Sequence, residues 1–303
     1  MKVLLTGGSG FLGRHVLQAL RAQGITTVVI GRQCPVGLDA AHFVPADLTA
    51  TTQLDALVRS CSATHLLHLA WVTGHTAYWE SPLNLRWVDT TTRLVQSFCA
   101  AGGRKVVVAG SCAEYSWEPG GMCAEDSTPL APATLYGVAK DATRRLLQAW
   151  CARHGVACAW ARVFFPFGAG EDPRRLVPAL FAALRGHAAP FGVNALSQRD
   201  FLHADDVAAA LLTLLSRDAS GAYNVSSGVA TPIATVVETI ARHLGASAQT
   251  ILSLPAAHPG GPAVLAGDNR RLRALGWEPH HTLEQGVVRA AQQVPEQAHD
   301  HAH

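Results

Sequence analysis

Features that a membrane, secreted or nucleic-acid-binding protein would need are missing from this sequence of 303 residues. No stretch reaches the roughly 18 consecutive apolar residues of a membrane-spanning helix. The apolar stretch before the first glycines is too short for a secretory signal peptide. The formal net charge is only +2, and no block of five or more Lys and Arg residues occurs. We therefore expect a cytoplasmic protein with no membrane or nucleic-acid partner.

The cysteines are seven in number and form no CxxC pair, which argues against a disulfide framework or a structural zinc site. We expect most of them to be buried small apolar residues in a reducing compartment. The histidines of residues 299–303 can bind a metal ion adventitiously, but a frayed terminus is the simpler interpretation. We predict no functional metal site.

Tyr136 and Lys140 lie four residues apart in a stretch with the composition of a helix, residues 133–151. On a helix both side chains project from one face, and the Lys charge is expected to lower the pKa of Tyr136 from about 10. Apolar residues at helical spacing predict one buried face: Val138, Ala142, Leu146, Leu147 and Trp150. The pair is typical of a proton donor. A half-buried Tyr beside a solvated Lys is an equal alternative from these residues alone.

A glycine-rich turn follows a predicted strand over residues 2–6 and opens a predicted helix over 11–23. With the predicted strand 26–30, this makes a βαβ unit. Glycines at this spacing let the backbone approach a pyrophosphate, whose charge meets the free N–H groups of the helix. We predict dinucleotide binding here, with cofactor contacts from five residues: Gly7, Gly10, Phe11, Leu12 and Gly13.

Gly31 and Arg32 follow the second predicted strand, where the adenosine ribose of a dinucleotide lies. A carboxylate there suits NAD, whereas an Arg suits the 2′-phosphate of NADP. The sequence therefore favours NADP(H), with NAD(H) as the alternative if Arg32 merely stacks on the adenine. Farther along, Asp47, with Leu48 beside it, either contacts the adenine or caps a predicted helix over 46–60. Both are counted among the predicted cofactor contacts.

Strands and helices alternate through the first half of the chain, which predicts an α/β protein with a Rossmann-type, doubly wound parallel sheet. The other predicted elements of this half are strands over 42–45, 64–69, 105–109 and 156–163 and a helix over 78–101. Ligands of such sheets lie at the carboxyl ends of the strands. Leu69, Ala70 and Ser111 fall at that edge together with the glycine turn. Leu69 and Ala70 are therefore predicted cofactor contacts.

The pattern changes after residue 163, where a loop rich in Gly and Pro spans 164–173. We predict a dinucleotide-binding domain over 1–163, to which 200–226 returns, and a smaller carboxyl-terminal substrate lobe over 164–199 and 227–303. Helices are predicted in the second half of the chain over 174–185, 207–216, 231–244, 270–275 and 283–292.

Four motifs occur in register: TGGSGFLG at 6–13, Ser111, YGVAK at 136–140 and RDFLHADD at 199–206. In this combination the chain resembles the extended short-chain dehydrogenases/reductases, the NAD-dependent epimerase/dehydratase family of nucleotide-sugar enzymes. The likeness covers nearly the full length. It implies a Rossmann lobe for NAD(P), a second lobe for a nucleoside diphosphate sugar, and homodimerisation through a four-helix contact.

The resemblance also implies roles for single residues. Tyr136 matches the catalytic acid/base, and Lys140 matches the residue that holds the nicotinamide ribose and lowers the Tyr pKa. Ser111 matches the residue that hydrogen-bonds the reacting carbonyl or hydroxyl. Arg199 matches the contact to the sugar nucleotide's diphosphate, and its alternative role is an ion pair with Asp200 or Asp205.

The sequence departs from the family at positions that separate its reactions. The 4,6-dehydratases have Asp and Glu where this chain has Cys112 and Ala113, and Glu114 is expected to point to the other side of the strand end. Dehydration is therefore not expected. GDP-fucose synthase-like enzymes use a Cys and a His where this chain has Ala113 and Arg175, which disfavours their 3,5-epimerisation. We interpret Arg175 as a substrate contact.

Two tryptophans form the last departure. Trp71 replaces the second Ala of the usual Ala-Ala after the fourth strand, and Trp87 replaces a helix Asn. Trp71 either narrows the sugar pocket, as a substrate contact, or is a core residue.

The chemistry that remains is hydride transfer at a sugar carbon. With NADPH, the expected reaction is reduction of a 4-keto sugar such as a 4-keto-6-deoxy sugar. With tightly held NAD, the same residues support 4-epimerisation, which is the alternative. Reductases of non-sugar carbonyls share the Tyr/Lys pair, but Arg199 would then have no diphosphate to meet. A non-catalytic NADP-binding scaffold should lack Ser111, Tyr136 and Lys140, and this chain has all three.

Overall fold

Buried strands rich in Val, Leu and Ala make a seven-stranded parallel sheet in this computed structural model, which describes residues 1–74, 78–118, 120–256 and 260–293. The strands of the chain are β1 (Lys2–Thr6), β2 (Thr26–Gly31), β3 (Phe43–Pro45), β4 (His65–His68), β5 (Lys105–Ser111), β6 (Gly121–Cys123), β7 (Ala157–Val163), β8 (Pro166–Phe167), β9 (Gln198–Arg199), β10 (Leu202–His203), β11 (Gly221–Val225), β12 (Thr231–Pro232) and β13 (Val264–Gly267). The large sheet has the order β11-β7-β5-β4-β1-β2-β3. This order reverses direction at β1, which places a ligand crevice at the carboxyl end of that strand.

Helices cover both faces of the sheet and contribute to two separate hydrophobic clusters. The helices are α1 (Phe11–Ala22), α2 (Leu54–Cys61), α3 (Leu83–Ala100), α4 (Leu135–Arg153), α5 (Leu176–Leu184), α6 (Ala204–Ser216), α7 (Ile233–Leu244), α8 (Gln249–Leu252), α9 (Arg270–Arg273) and α10 (Leu283–Gln293). Helices α1 and α6 pack on one face, and α2, α3 and α4 pack on the other. The predicted doubly wound fold is confirmed. Among the described residues, no helix combines the length and apolar character that crossing a bilayer requires.

A third hydrophobic cluster gathers residues of α5, α7 and α10 away from the large sheet. A four-stranded sheet, β12-β9-β13-β6, lies beside it, and β8 pairs with β10. Strand β11 returns to the large sheet next to β7, as the segment 200–226 was expected to do. This packing supports the predicted division into a dinucleotide domain and a smaller lobe, which stays a prediction.

Several predicted element boundaries were wrong. The helix predicted over 46–60 begins only at Leu54, because the Asp47 carboxylate accepts from the backbone N–H and hydroxyl of Thr49 and stabilises a turn instead. The helix predicted from residue 78 begins after Pro82. Strands β6, β8, β11, β12 and β13 were not predicted, and β8 lies within the predicted loop over 164–173. Residues 299–303 lie outside the described residues.

The buried face of α4 also differs from the prediction. Val138 and Leu146 are 47% and 50% exposed, although both were assigned to the buried face. The buried residues of α4 are Gly137, Ala139, Lys140, Thr143, Leu147 and Cys151. The inward stripe therefore runs through a lysine and a glycine and leaves two large aliphatic side chains in solvent.

Candidate active site

The glycine turn between β1 and α1 is shaped by close backbone approach. Gly7 has a φ of +74°, and a Cβ there would lie 2.7 Å from the backbone nitrogen of Ala70. A Cβ on Gly13 would lie 1.9 Å from the carbonyl oxygen of Gly7. Gly10 caps α1 without a side-chain hydrogen bond, so the first N–H groups of the helix are available to an anion. The glycines put no side chain into the space at this turn, so these residues fit the pyrophosphate of a dinucleotide.

The adenosine end of the predicted cofactor site is formed by neighbouring strand ends. Gly31 and Pro45 are paired at the ends of β2 and β3, so Arg32 and Asp47 follow adjacent strands. Arg32 is exposed. The pKa of Asp47 is lowered chiefly by its hydrogen bonds from Thr49, with a smaller contribution from the Arg32 charge. The structure thus places the exposed Arg32 side chain near the Asp47 carboxylate at this edge.

The remaining predicted cofactor contacts lie along the same edge of the sheet. Leu48 is buried in the cluster beneath α2, whereas Leu69 is half-buried against the cluster beneath α1. Phe11 and Leu12 occupy the first turn of α1 and are half-buried. Ala70 is held next to the turn by its N–H, which donates to the Thr6 hydroxyl at 3.4 Å. Apart from Tyr136 and Lys140 on α4, the predicted cofactor contacts therefore lie at the carboxyl ends of β1, β2, β3 and β4.

Ser111 and Tyr136 meet because the start of α4 packs tightly on the turn after β5. A Cβ on Gly137 would lie 2.3 Å from the carbonyl oxygen of Ala113. The Thr134 hydroxyl caps α4 by accepting from the Gly137 N–H at 3.1 Å. Tyr136, in the first turn, thereby lies close enough to Ser111 for the Ser111 hydroxyl to lower the pKa of the phenol. The Ser111 and Tyr136 hydroxyls therefore lie together at the carboxyl end of β5.

Lys140 lies one turn farther along α4 and is buried. Its Nζ donates to the Ala109 carbonyl oxygen at 2.9 Å and lies 3.8 Å above the centre of the Trp71 ring. Burial lowers the pKa of Lys140 to about 7, and the nearby Glu114 charge opposes that shift. This lysine therefore titrates in the neutral range.

The pKa of Tyr136 was predicted to be lowered, and that prediction was wrong. Burial raises it, and the hydrogen bond with Ser111 offsets only part of the effect. The Lys140 Nζ lies 5.8 Å from the centre of the Tyr136 ring and is bound to a carbonyl oxygen. The phenol is consequently a protonated group at neutral pH, which suits a proton donor.

Glu114 points away from the Ser111–Tyr136 pair, as predicted. Its side chain is fully buried and accepts three hydrogen bonds of 2.8 Å: from the Ser111 backbone N–H, the Trp160 indole and the Arg162 guanidinium. Cys112 and Ala113 are also buried, and burial raises the pKa of the Cys112 thiol. The turn after β5 therefore offers no carboxylate to the site.

The predicted substrate residues are dispersed around this point. Arg175 pairs with Glu171 at 2.9 Å and hydrogen-bonds Tyr78. Arg199 donates to the carbonyl oxygens of Gln198 and Pro262. The alternative role of Arg199, an ion pair that ties the lobes, was wrong. Asp200 accepts instead from backbone and side-chain groups of Ser227, Gly228 and Gly267, and Asp205 pairs with His15 and Arg289.

Comparison with known proteins identifies this arrangement. A model of the NAD dependent epimerase/dehydratase family matches residues 3–226. The chain belongs to that family. The predicted resemblance is thereby confirmed.

Individual relatives match along nearly their whole length. A UDP-glucose 4-epimerase of Azospirillum brasilense is 29% identical, over 96% of this chain and 90% of its own. A dTDP-6-deoxy-L-talose 4-dehydrogenase (NAD(P)(+)) of Kitasatospora kifunensis is 26% identical, over 94% and 93%. The structure of MoeE5 in complex with UDP-glucose and NAD is 27% identical, covers 97% of this chain and 98% of that chain, and superposes with a TM-score of 0.83.

Three aromatic residues, Tyr78, Trp79 and Trp117, cluster beside Tyr136, and the sequence did not predict this cluster. The Tyr78 and Trp79 rings contact the Tyr136 ring edge-on, with centroids 4.9 and 5.6 Å away. Trp117 lies edge-on to Trp79 at 6.2 Å. The only signal in the sequence was the aromatic content of the segments that follow β4 and β5, which does not say where those segments fold.

Potential metal ligands occur together near the start of α6. Atoms of His203, Asp205 and His281 lie within 4.8 Å of one another. Asp205 is already engaged, since it accepts from His15 at 2.6 Å and from Arg289. A permanent guanidinium on the shared carboxylate disfavours a cation there. The cluster is better described as an ion-pair network that joins α1, α6 and α10.

Proposed function

We propose that this family member is an NAD(P)-dependent oxidoreductase that reduces a 4-keto group of a nucleoside diphosphate sugar. The observation that carries the proposal is the Ser111–Tyr136 hydroxyl pair beside Lys140, with Glu114 turned into the core. A single proton donor suffices for reduction of a ketone, whereas elimination of water needs a second acid/base group.

Each residue of the candidate site has a proposed role in binding or proton transfer. The glycine turn would hold the pyrophosphate of NAD(P)H, which supplies the hydride when bound. Tyr136 would donate the proton of its phenol to the carbonyl oxygen as that oxygen gains negative charge. Ser111 would hold the same oxygen, and Lys140 would hold the ribose. Arg199 would neutralise the diphosphate, which the family resemblance supports, and Arg175 would be a further substrate contact.

NADP(H) is the cofactor that the adenosine end supports. Gly31 carries no side chain at the end of β2, and a Cβ there would meet nothing closer than 3.9 Å. Arg32 follows it and is exposed, so its guanidinium can turn toward a 2′-phosphate. The name of the Kitasatospora kifunensis relative includes NAD(P)(+), whereas MoeE5 was solved with NAD. NAD(H) is therefore the alternative.

A 4-epimerase is the second candidate, because the Azospirillum brasilense relative carries that name. Epimerisation would use the same residues and would return the hydride to the opposite face of the carbon. The two reactions differ in whether the reduced cofactor is consumed.

The test is an assay of the purified protein with a nucleoside diphosphate 4-keto-6-deoxy sugar and with UDP-glucose, each in the presence of NADPH or NADH. We expect one equivalent of NADPH to be consumed for each keto sugar reduced, and NADPH to bind more tightly than NADH. Interconversion of the C4 epimers of UDP-glucose without net consumption of cofactor would establish the epimerase instead. A protein that binds neither cofactor would contradict both candidates.

We also propose a homodimer formed through α3 and α4. Large apolar side chains are exposed on these two adjacent helices: Leu83 45%, Leu85 60%, Val138 47% and Leu146 50%. Light scattering should give a mass about twice the 32.0 kDa of the chain, and Leu146→Glu should halve it. A wild-type mass of one chain would contradict the proposal.

The unpaired state of all seven cysteines supports a cytoplasmic location.

A further inference from the structure

Lys140 is held by two contacts of different kinds. Its ammonium carries three N–H donors, one of which goes to the Ala109 carbonyl oxygen at 2.9 Å. The indole of Trp71 lies against the ammonium, with the Nζ 3.8 Å from the ring centre. A cation at that distance from an aromatic face is attracted by the ring electrons, most strongly when water is excluded. Both residues are buried, with 4% and 8% of their surfaces exposed.

Trp71 is itself fixed in place. Its indole N–H donates to the Asn84 side-chain oxygen at 2.8 Å, and its ring stacks on Trp87 with centroids 6.1 Å apart and an interplanar angle of 27°. Asn84 is fully buried and donates to the carbonyl oxygens of Tyr78 and Ser81. The aromatic face is therefore a rigid surface whose orientation toward Lys140 is set by a hydrogen bond and a stacked ring.

We propose that Trp71 is a positioning residue that keeps the Lys140 ammonium charged and aimed into the cofactor site. This inference rests on the proposed role of Lys140 in holding the cofactor. Burial without compensation would favour the neutral amine, which no longer donates charge-assisted hydrogen bonds to groups around it. The aromatic face offsets part of that loss without adding a competing acceptor, because the indole ring offers no lone pair to the ammonium.

Other charges near Lys140 act on the same equilibrium. The charge of Glu114, on the turn after β5, raises the pKa of Lys140 and so favours its ammonium form. His68 of β4 is buried between the Thr6 and Thr91 hydroxyls, and its pKa is lowered to about 3 by burial and by the Lys140 charge. It is therefore neutral when Lys140 titrates. Tyr136 is protonated in that range. The shift expected on changing Trp71 is thus not masked by these neighbours.

The test compares Trp71→Leu and Trp71→Phe with a matched control, Trp150→Leu, which makes the same change on α4 at a half-buried indole that stacks on His154. The pKa of Lys140 is read by NMR on protein with labelled lysine side chains, and the Kd for NADPH is read by calorimetry from pH 6 to 9. Trp71→Leu keeps an apolar side chain at this position and removes the aromatic face. We expect the pKa of Lys140 to fall by about one unit, which lowers the ammonium fraction at pH 7 and should raise the Kd there roughly fivefold. Trp71→Phe should show a smaller shift in the same direction, and Trp150→Leu none.

Each outcome decides the proposal. An unchanged Lys140 pKa and an unchanged pH dependence of the Kd in Trp71→Leu would overturn it, as would an equal shift in Trp150→Leu. If Trp71→Leu does not fold, the sign of the Trp71→Phe shift decides in its place. If the wild type binds no NADPH while the Lys140 pKa still falls in the variant, the proposed function fails and the contact of Trp71 with Lys140 stands.

Discussion

Replacement of Tyr136 by Phe should lower the turnover of a keto sugar by about 10²–10⁴-fold, the range in which a positioned general acid contributes. The substitution removes the phenol that we propose as the proton donor and leaves the Ser111 hydroxyl without this neighbour. It keeps the ring, so the edge contacts with Tyr78 and Trp79 remain. The loss should therefore lie in kcat, while the Kd for NADPH and the melting temperature change little. The measurement is steady-state kinetics with cofactor in excess, together with a binding titration.

The matched control for this prediction is Tyr223→Phe. Tyr223 is 5% exposed on β11, where its ring contacts Arg271, so the variant loses a phenol hydroxyl outside the candidate site. Its turnover should stay within about threefold of wild type, as expected for a change that does not touch the reacting groups. Near-normal turnover in Tyr136→Phe, or an equal loss in the control, would remove Tyr136 from its proposed role.

Local spacing was enough to predict the parts of the site that the backbone dictates. Gly7 and Gly13 stand where a Cβ would collide with another chain segment, so their pattern predicts the turn and the helix that follows. Tyr136 and Lys140 share a face of α4 because a helix places residues four apart one above the other. The parallel sheet follows from the alternation of strands with helices.

Properties that depend on tertiary burial could not be predicted from the sequence. The direction of the Tyr136 pKa shift was predicted from the neighbouring charge, but burial decides it. Val138 and Leu146 follow the helical spacing of a core face yet are exposed, because spacing alone does not tell a core from a surface that another molecule would cover. The two-residue strands β8 and β12 are too short to show a period. Tyr78 and Trp79 reach the site by a fold of the segment after β4 that local pattern does not specify.

Glu114 links the stability of the fold to the geometry of the site. It is the one position of the turn after β5 that a dehydratase comparison could mistake for a catalytic carboxylate, being two residues from Cys112. Its two oxygens instead bind groups on β5 and β7, and one of those groups is the backbone N–H of Ser111. The same bonds that keep the carboxylate in the core therefore fix Ser111, the residue proposed to hold the reacting oxygen.

Glu114→Gln should lower the free energy of unfolding by about 3–5 kcal/mol, the cost of breaking a buried ion pair from one side. Arg162 is 1% exposed and would keep its charge with only the Tyr115 hydroxyl, at 2.9 Å, as a remaining side-chain partner among those described for it. The amide can accept at one position, but its NH₂ group must then face either the Arg162 guanidinium or both the Ser111 N–H and the Trp160 indole. The measurement is urea unfolding of the variant and wild type under the same conditions.

The control is Asp89→Asn, which removes the carboxylate of the exposed Arg93–Asp89 pair at 3.8 Å on α3. An exposed pair of this kind contributes about 1 kcal/mol or less, so the variant should unfold nearly as wild type does. Adding Arg162→Met to Glu114→Gln should recover part of the lost stability, because the unpaired buried charge is then removed as well. In Glu114→Gln the charged Arg162 draws the amide oxygen, so the NH₂ group faces the Ser111 N–H and turnover should also fall. Unfolding within about 1 kcal/mol of wild type would show that the buried pair neither stabilises the fold nor holds Ser111.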